Sequence, residues 1–235
     1  MTNMFHSLSF MTFYDLGLDN DVELLIIDLK GGLEFSKYKN LKQVRGVCND
    51  VQQAHEALTE LHDVLAETQL EFLNRGWSNI VDTPSQKRLF VIIDEAAQLA
   101  QEKWMPKPVK DMMSACQWYL SEIARVYGAL GVRLIYATQY PTADTMPRQI
   151  KQNSDIKVSY RLPTGYASEV AIDDKGAEKV PSDIKGRALI KTHEITEVQT
   201  PLITDQEMMK RVKKYAITIT TPPKQKGTDD TFEIR

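Results

Sequence analysis

The chemistry this chain can do is concentrated where apolar runs end. Leu89–Ile93 (LFVII) runs straight into Asp94-Glu95. A carboxylate at a strand tip can hold Mg²⁺ through the ion's water shell, because magnesium takes hard oxygen ligands and keeps several waters. A second carboxylate beside it can orient and deprotonate an attacking water. Asp94 suits the first task and Glu95 the second. Val132–Ala137 (VRLIYA) ends in Thr138-Gln139, and an amide there can hydrogen-bond a γ-phosphate or the attacking water. Val22–Asp28 (VELLIID) leads into Leu29-Lys30, so Asp28 and Lys30 mark a third polar end. Taken singly, an acidic pair after a strand is a common turn, and a glutamine shortly before Pro141 is an ordinary turn residue. Acids and an amide at the ends of separate strands point instead to nucleotide hydrolysis.

The elements that must position these groups are legible from periodicity. Short, nearly continuous apolar runs read as strands buried on both faces of a parallel sheet. Val51, Ala54, Leu58, Leu61, Leu65 and Phe72 share one face of a helix spanning 50–74, with Asp50 as N-cap and Gly76 as stop. A second helix is expected over 110–130 and a fourth strand over 156–162. Residues 186–191 and 197–203 read as an antiparallel pair, and 207–215 as a short basic helix. Met4, Phe5, Leu8 and Met11 give Met1–Tyr14 the pattern of an amphipathic helix, without the basic start or small-residue cleavage site of a signal peptide. Residues 29–45 read as a loop carrying Lys37, Lys39, Lys42 and Arg45. Strands alternating with helices imply an α/β fold with a mainly parallel sheet flanked by helices and a C-terminal antiparallel strand pair. Ligands in such sheets bind beyond the carboxyl ends of the strands.

Hydrophobic residues followed by Asp94-Glu95 form the Walker B pattern of P-loop ATPases. The phosphate-binding loop of that class, G-x-x-x-x-G-K-[ST], occurs nowhere in the 235 residues. Lys30-Gly31-Gly32 has the residue types in the wrong order. A P-loop supplies backbone N–H groups, a lysine and a magnesium-binding hydroxyl. The expectation is therefore that this chain binds ATP and Mg²⁺ weakly or not at all by itself.

Composition sets the frame. Lys and Arg total 29 against 32 Asp and Glu, a net charge of −3, so DNA contact must come from local clusters. Candidates are Lys103, Lys107 and Lys110 around Trp104, and Arg148 with Lys151; a charge run is more often a solvated face. Cys48 and Cys116 make no disulfide framework, which favours a reducing, cytoplasmic setting. No apolar run reaches the length of a membrane span. The four histidines show no ligand spacing.

The ordered set of segments resembles the FtsK/SpoIIIE family of DNA-pumping motor ATPases. Ile27-Asp28-Leu29-Lys30 stands where that family has I-D-P-K. The Asp94-Glu95 strand follows. Gly131–Pro141 (GVRLIYATQYP) is similar to G-I-H-L-x-x-A-T-Q-R-P, and Ile150-Lys151-Gln152-Asn153 to I-K-A-N. Ser159–Leu162 parallels an F-R-V strand, Ala171-Ile172-Asp173 parallels I-L-D, and Gly176-Ala177-Glu178 parallels G-A-E. The resemblance implies a RecA-like P-loop NTPase core over 1–205, followed by a short basic helix and strand over 206–220 and a disordered tail over 221–235. It implies a ring, usually a hexamer, around double-stranded DNA, with ATP between subunits. Glu95 and Gln139 would be catalytic, and Asp94, Thr138, Asp28 and Lys30 would contact the nucleotide and its metal. A neighbouring subunit would supply an arginine finger, for which Arg125, Arg133 and Arg161 are candidates. The family's G-x-T-G-S-G-K-S is missing, and Met1–Tyr14 is similar to the helix that follows it. The chain therefore looks like a family member cut just after the P-loop. The alternative is a non-hydrolysing interaction subunit that keeps the fold and the ring interface.

Overall fold

Aliphatic runs that are apolar on both sides must lie inside a sheet whose two faces are covered. In the computed structural model, which describes residues 22–212, three such runs do so. The helix expected over Met1–Tyr14, the strand after the basic helix and the polar tail lie outside the described residues. Strands β1 (Val22–Asp28), β2 (Val44–Cys48), β3 (Arg88–Asp94) and β4 (Val132–Tyr136) form one parallel sheet in the order β2-β1-β3-β4. The register sets Asp28 beside Asp94 and Ile93 beside Tyr136. All carboxyl ends therefore share one rim.

Both faces are covered. Helices α1 (Val51–Arg75) and α2 (Lys107–Arg125) pack on one, where Ala54, Leu58, Leu61, Met113, Cys116 and Leu120 meet Leu25, Ile27, Val91 and Ile93. Leu24, Ile26 and Ile92 point the other way, onto Phe35, Tyr38 and Leu41. Met208 and Val212, from a short C-terminal helix over Asp205–Val212, complete that layer. This helix begins earlier than expected, and residues 213–215 lie outside the described residues. Helix α1 starts as its sequence dictates. The Asp50 side chain accepts from the Gln53 N–H at 2.8 Å, and Gly76 closes the helix at φ 71°.

Three details differ from expectation. The basic segment before Asn49 contains β2, an edge strand whose Arg45 and Gly46 interrupt the apolar run that would have revealed it. Helix α2 starts and stops several residues early, because Pro108 suits a first turn and the chain already bends over 127–131. The fourth expected strand, β5 (Lys157–Tyr160), leaves the parallel sheet. It pairs antiparallel with β6 (Arg187–Lys191), and β6 pairs with β7 (Ile195–Gln199), so the expected antiparallel pair is a three-stranded sheet. The segment IKVSYRL alternates polar and apolar residues, as an antiparallel strand with one wet face does. The short helix α3 (Arg148–Gln152) connects the two sheets, and α4 (Gly165–Ile172) lies between β5 and β6 of the second. The Asp205–Val212 helix is α5.

Both cysteines are free and buried, and burial pushes both thiols up, Cys48 to about 11 and Cys116 to about 12. No helix among the described residues is long and apolar enough to cross a membrane.

Gly131 sets the entry to β4. It sits at φ +88°, and a Cβ there would lie 2.9 Å from the Lys87 carbonyl oxygen and 3.1 Å from Ile80. Backbone cannot yield as a flexible side chain can, so Gly131→Ala is expected to cost about 2 kcal/mol in urea unfolding. A loss under 0.5 kcal/mol would show that this turn relaxes freely.

Candidate functional site

The sheet order fixes where a ligand can sit. From β1 the chain departs to β2 on one side; from β3 it departs to β4 on the other. Adjacent strands with connections that diverge leave a crevice beyond their carboxyl ends. The residues at that point are Asp28 and Asp94, side by side in register, with Glu95 next. All three carboxylates are buried, at 0%, 5% and 3% exposure. Buried carboxylates persist only where hydrogen bonds and cations replace their lost water.

Each is compensated differently. Asp28 is used by its own turn: Oδ1 accepts from the Lys30 N–H at 3.3 Å, and Oδ2 accepts from Glu34 N–H at 3.2 Å and Phe35 N–H at 3.1 Å. Its carboxylate builds the loop after β1. Glu95 reaches across to β4. Its Oε1 accepts from the Thr138 hydroxyl at 2.9 Å and from the Gln139 N–H at 3.1 Å. Its Oε2 lies 3.3 Å from Lys30 Nζ, which is also 3.9 Å from Asp94 Oδ2. The Glu95 backbone is left-handed, at φ 56° and ψ 58°, a conformation uncommon for a long side chain. That turn takes the chain off the strand while the carboxylate stays at the rim.

Asp94, Glu95, Thr138, Gln139 and Lys30 are thus brought together from three strand ends. A cavity of about 190 Å³ opens beside them, between the end of β4 and β5. Asp94, Thr138, Gln139, Lys151, Lys157 and Arg161 are among the residues that line it. Strands β4 and β5 are each the end strand of their sheet among the described residues, so the cavity lies between two sheet edges.

The candidate arginines separate. Arg161 lines the cavity and donates to the Val180 carbonyl at 2.7 Å. Arg125 is bound to both oxygens of Glu122 at 2.8 Å on the last turn of α2. Arg133 lies at the start of β4, away from the rim, and donates to the carbonyls of Gly128 and Val132. The basic candidates also separate. Lys103, Lys107 and Lys110 surround the exposed Trp104 at the start of α2; Lys107 pairs with Asp111, and Lys110 donates to the Lys103 carbonyl. Arg148 is exposed at the start of α3, whereas Lys151 is partly buried. Lys151 and Lys157 both reach Asp173, at 2.7 and 3.4 Å. The wall of cations lining the cavity was not visible in the sequence; only an alternating Lys-x-Ser strand beside an Ile-Asp pair hinted at it.

Burial works to raise the Asp173 pKa, but hydrogen bonds and charge from Lys151 and Lys157 outweigh it and hold the carboxyl below its usual range. A depressed pKa stabilises the fold above the ordinary carboxylate value, near pH 4, and the stabilisation fades as pH falls through the lower folded value. Asp173→Asn keeps the left-handed backbone that this position adopts at φ 55°. It is expected to lower stability at pH 7 and to leave little difference from the parent near pH 2; equal deficits at both values would contradict the pairing. Thr138→Val removes one donor from a buried carboxylate and is expected to cost about 1–3 kcal/mol in urea unfolding. A neutral outcome would show that Oε1 is satisfied without the hydroxyl.

No family model matches the chain. Among curated proteins it is 28% identical over 204 residues to DNA translocase FtsK of Campylobacter jejuni, covering 81% of this chain and 20% of that protein. It is 26% identical over 217 residues to DNA translocase FtsK of Bacillus cereus, covering 84% and 26%. The chain thus spans about a fifth to a quarter of the length of these relatives. Among solved structures, the pCW3 conjugation coupling protein TcpA, in monomer form with ATPγS, superposes with a TM-score of 0.77 at 24% identity, over 89% of this chain and 60% of that one. EssC ATPases 2 and 3 from Geobacillus thermodenitrificans give 0.70 at 17% identity, over 89% and 40%. The fold is that of RecA-like P-loop ATPases. In sequence the chain is thus similar to FtsK DNA translocases, and in fold to TcpA and EssC.

Proposed function

We propose that the chain is the nucleotide-handling core of an ATP-driven motor that moves double-stranded DNA. The observation that carries this reading is the meeting of Asp94, Glu95 and Gln139 at one sheet rim, with the Glu95 carboxylate hydrogen-bonded to the β4 end. Curated relatives named as DNA translocases and a structural neighbour bound to ATPγS support it.

Asp94 is a hard oxygen donor lining the cavity, which fits a magnesium ion held through water. Such an ion would neutralise phosphate charge. Glu95 takes the proton of the attacking water, and Gln139 reads the terminal phosphate. Thr138 borders the same space, Lys30 reaches Glu95 and Asp94 at the rim, and Asp28 shapes the turn that carries Lys30. No phosphate cradle occurs in the sequence. Strand β4 is an end strand beside the cavity among the described residues, so one more strand could pair along it. A strand docked there and followed by G-x-x-x-x-G-K-[ST] would bring the backbone N–H groups of that loop to the same rim as Asp94. Copies assemble into a ring, a hexamer in this reading, with Arg125, Arg133 or Arg161 of one copy stabilising charge in the site of the next. DNA phosphates are gripped by Lys103, Lys107 and Lys110 around Trp104, and by Arg148. Lys151, held by Asp173, serves the cavity wall first.

Equilibrium dialysis of the 235-residue chain with labelled ATP and Mg²⁺ is expected to show weak binding. Tight stoichiometric binding would refute the need for a further cradle. In a version extended by the cradle strand, Glu95→Gln should cut turnover by roughly 100-fold or more while nucleotide still binds. Unchanged hydrolysis would remove Glu95 from the mechanism, and no hydrolysis even in the parent would favour a non-hydrolysing ring subunit. For DNA, replacing Lys103, Lys107 and Lys110 by Gln should flatten the log–log salt dependence of duplex binding by roughly 2 to 3 units.

A further inference from the structure

One cation serves two buried acids at the rim. Lys30 is the residue that closes the gap between the β1 turn and the β3 end. Its Nζ stands 3.3 Å from Glu95 Oε2 and 3.9 Å from Asp94 Oδ2. The Lys30 side chain is 27% exposed, against 3% for Glu95 and 7% for Asp94, so the ammonium reaches inward from a wet turn to dry carboxylates. The Glu95 Oε2 atom makes no hydrogen bond of good geometry among the described residues, so this ion pair is its compensation.

The turn that carries Lys30 is built to aim it. The Asp28 carboxylate accepts from the N–H groups of Lys30, Glu34 and Phe35, which fixes both ends of the turn. Gly32 lies at φ +72°, where a Cβ would fall 2.0 Å from the Asn49 side-chain oxygen, so the tip is folded down against α1's entry. Leu33 beside it is 87% exposed. The Asp28 bonds hold the base of the turn, while the Leu33 side chain faces outward.

We infer that Lys30 is a positioning residue for Glu95: its ammonium holds the carboxylate in the orientation that Thr138 and the Gln139 N–H complete. The proposal deepens the reading of Glu95 as the base, and rests on that reading for its meaning. Its geometry holds whether or not the chain hydrolyses nucleotide. Two clamps act on one carboxylate, one at each oxygen. Thr138 and Gln139 bind Oε1 from β4, and Lys30 binds Oε2 from β1.

The test uses the 235-residue chain without nucleotide and reads the Gln139 amide by NMR hydrogen exchange, because that N–H is donated to Glu95 Oε1. Lys30→Met keeps the stem and removes the charge. It is expected to speed exchange at Gln139 by roughly fivefold or more, the factor that loss of a partly buried ion pair produces in a local opening equilibrium. Lys30→Arg, which restores the cation, should return the rate to within about twofold of the parent. Unchanged exchange in Lys30→Met would overturn the proposal, as would equal acceleration in Met and Arg variants. If Lys30→Met does not fold, Glu95→Gln cuts the same ion pair from the other side. A Lys30 Nζ resonance unaltered by that change would overturn the assignment, and a shifted one would support it. A failure to hydrolyse ATP in the extended version would count against the proposed function and leave these amide rates as they are.

Discussion

Three carboxylates buried at one sheet rim are the constraint around which the rest is arranged. Removing Asp28, Asp94 and Glu95 from water is unfavourable unless each finds donors or a cation. Asp28 finds them in its own turn, and Glu95 finds them on the neighbouring strand and in Lys30. The sheet order makes this possible. With β1 and β3 adjacent and in register, the acids at their ends are neighbours, and β4 brings Thr138 and Gln139 within reach. Had β3 and β1 been separated by another strand, Lys30 could not reach Glu95.

The core explains why those positions hold. Leu25, Ile27, Val91 and Ile93 face α1 and α2, while Leu24, Ile26 and Ile92 face the loop and α5 on the other side. A strand locked on both faces has no freedom to slide, because a one-residue slip would turn its whole pattern over. The polar ends inherit that rigidity. The second sheet has a different role. Its β5 edge, with Lys157, and the neighbouring α3, with Lys151, supply the basic side of the cavity. Asp173 holds both lysines there. The cavity is thus acidic at the parallel sheet and basic opposite.

Much of this was legible in the sequence because the relevant signals are local. Continuous aliphatic runs mark strands buried on both faces, and the acid or amide that ends each run marks the rim. Asp50 and Gly76 bracket α1 because capping depends on a few adjacent residues. The edge strand β2 was hidden, since Arg45 and Gly46 break its pattern and an edge tolerates that. The departure of β5 into a second sheet was hidden too, because pairing partners are far apart in the chain.

For the site, residue types were settled by the sequence and contacts were not. The letters DE after LFVII, TQ after VRLIYA and D-L-K after VELLII identify which groups stand at strand ends. They do not say that Asp28 turns back onto its own loop, that Lys30 crosses to Glu95, or that Arg161 faces the cavity while Arg125 and Arg133 lie elsewhere. Those outcomes depend on strand order and register, which arise from packing between distant segments. Strand identity is written in neighbouring residues; which strand ends meet is decided only when the sheet assembles.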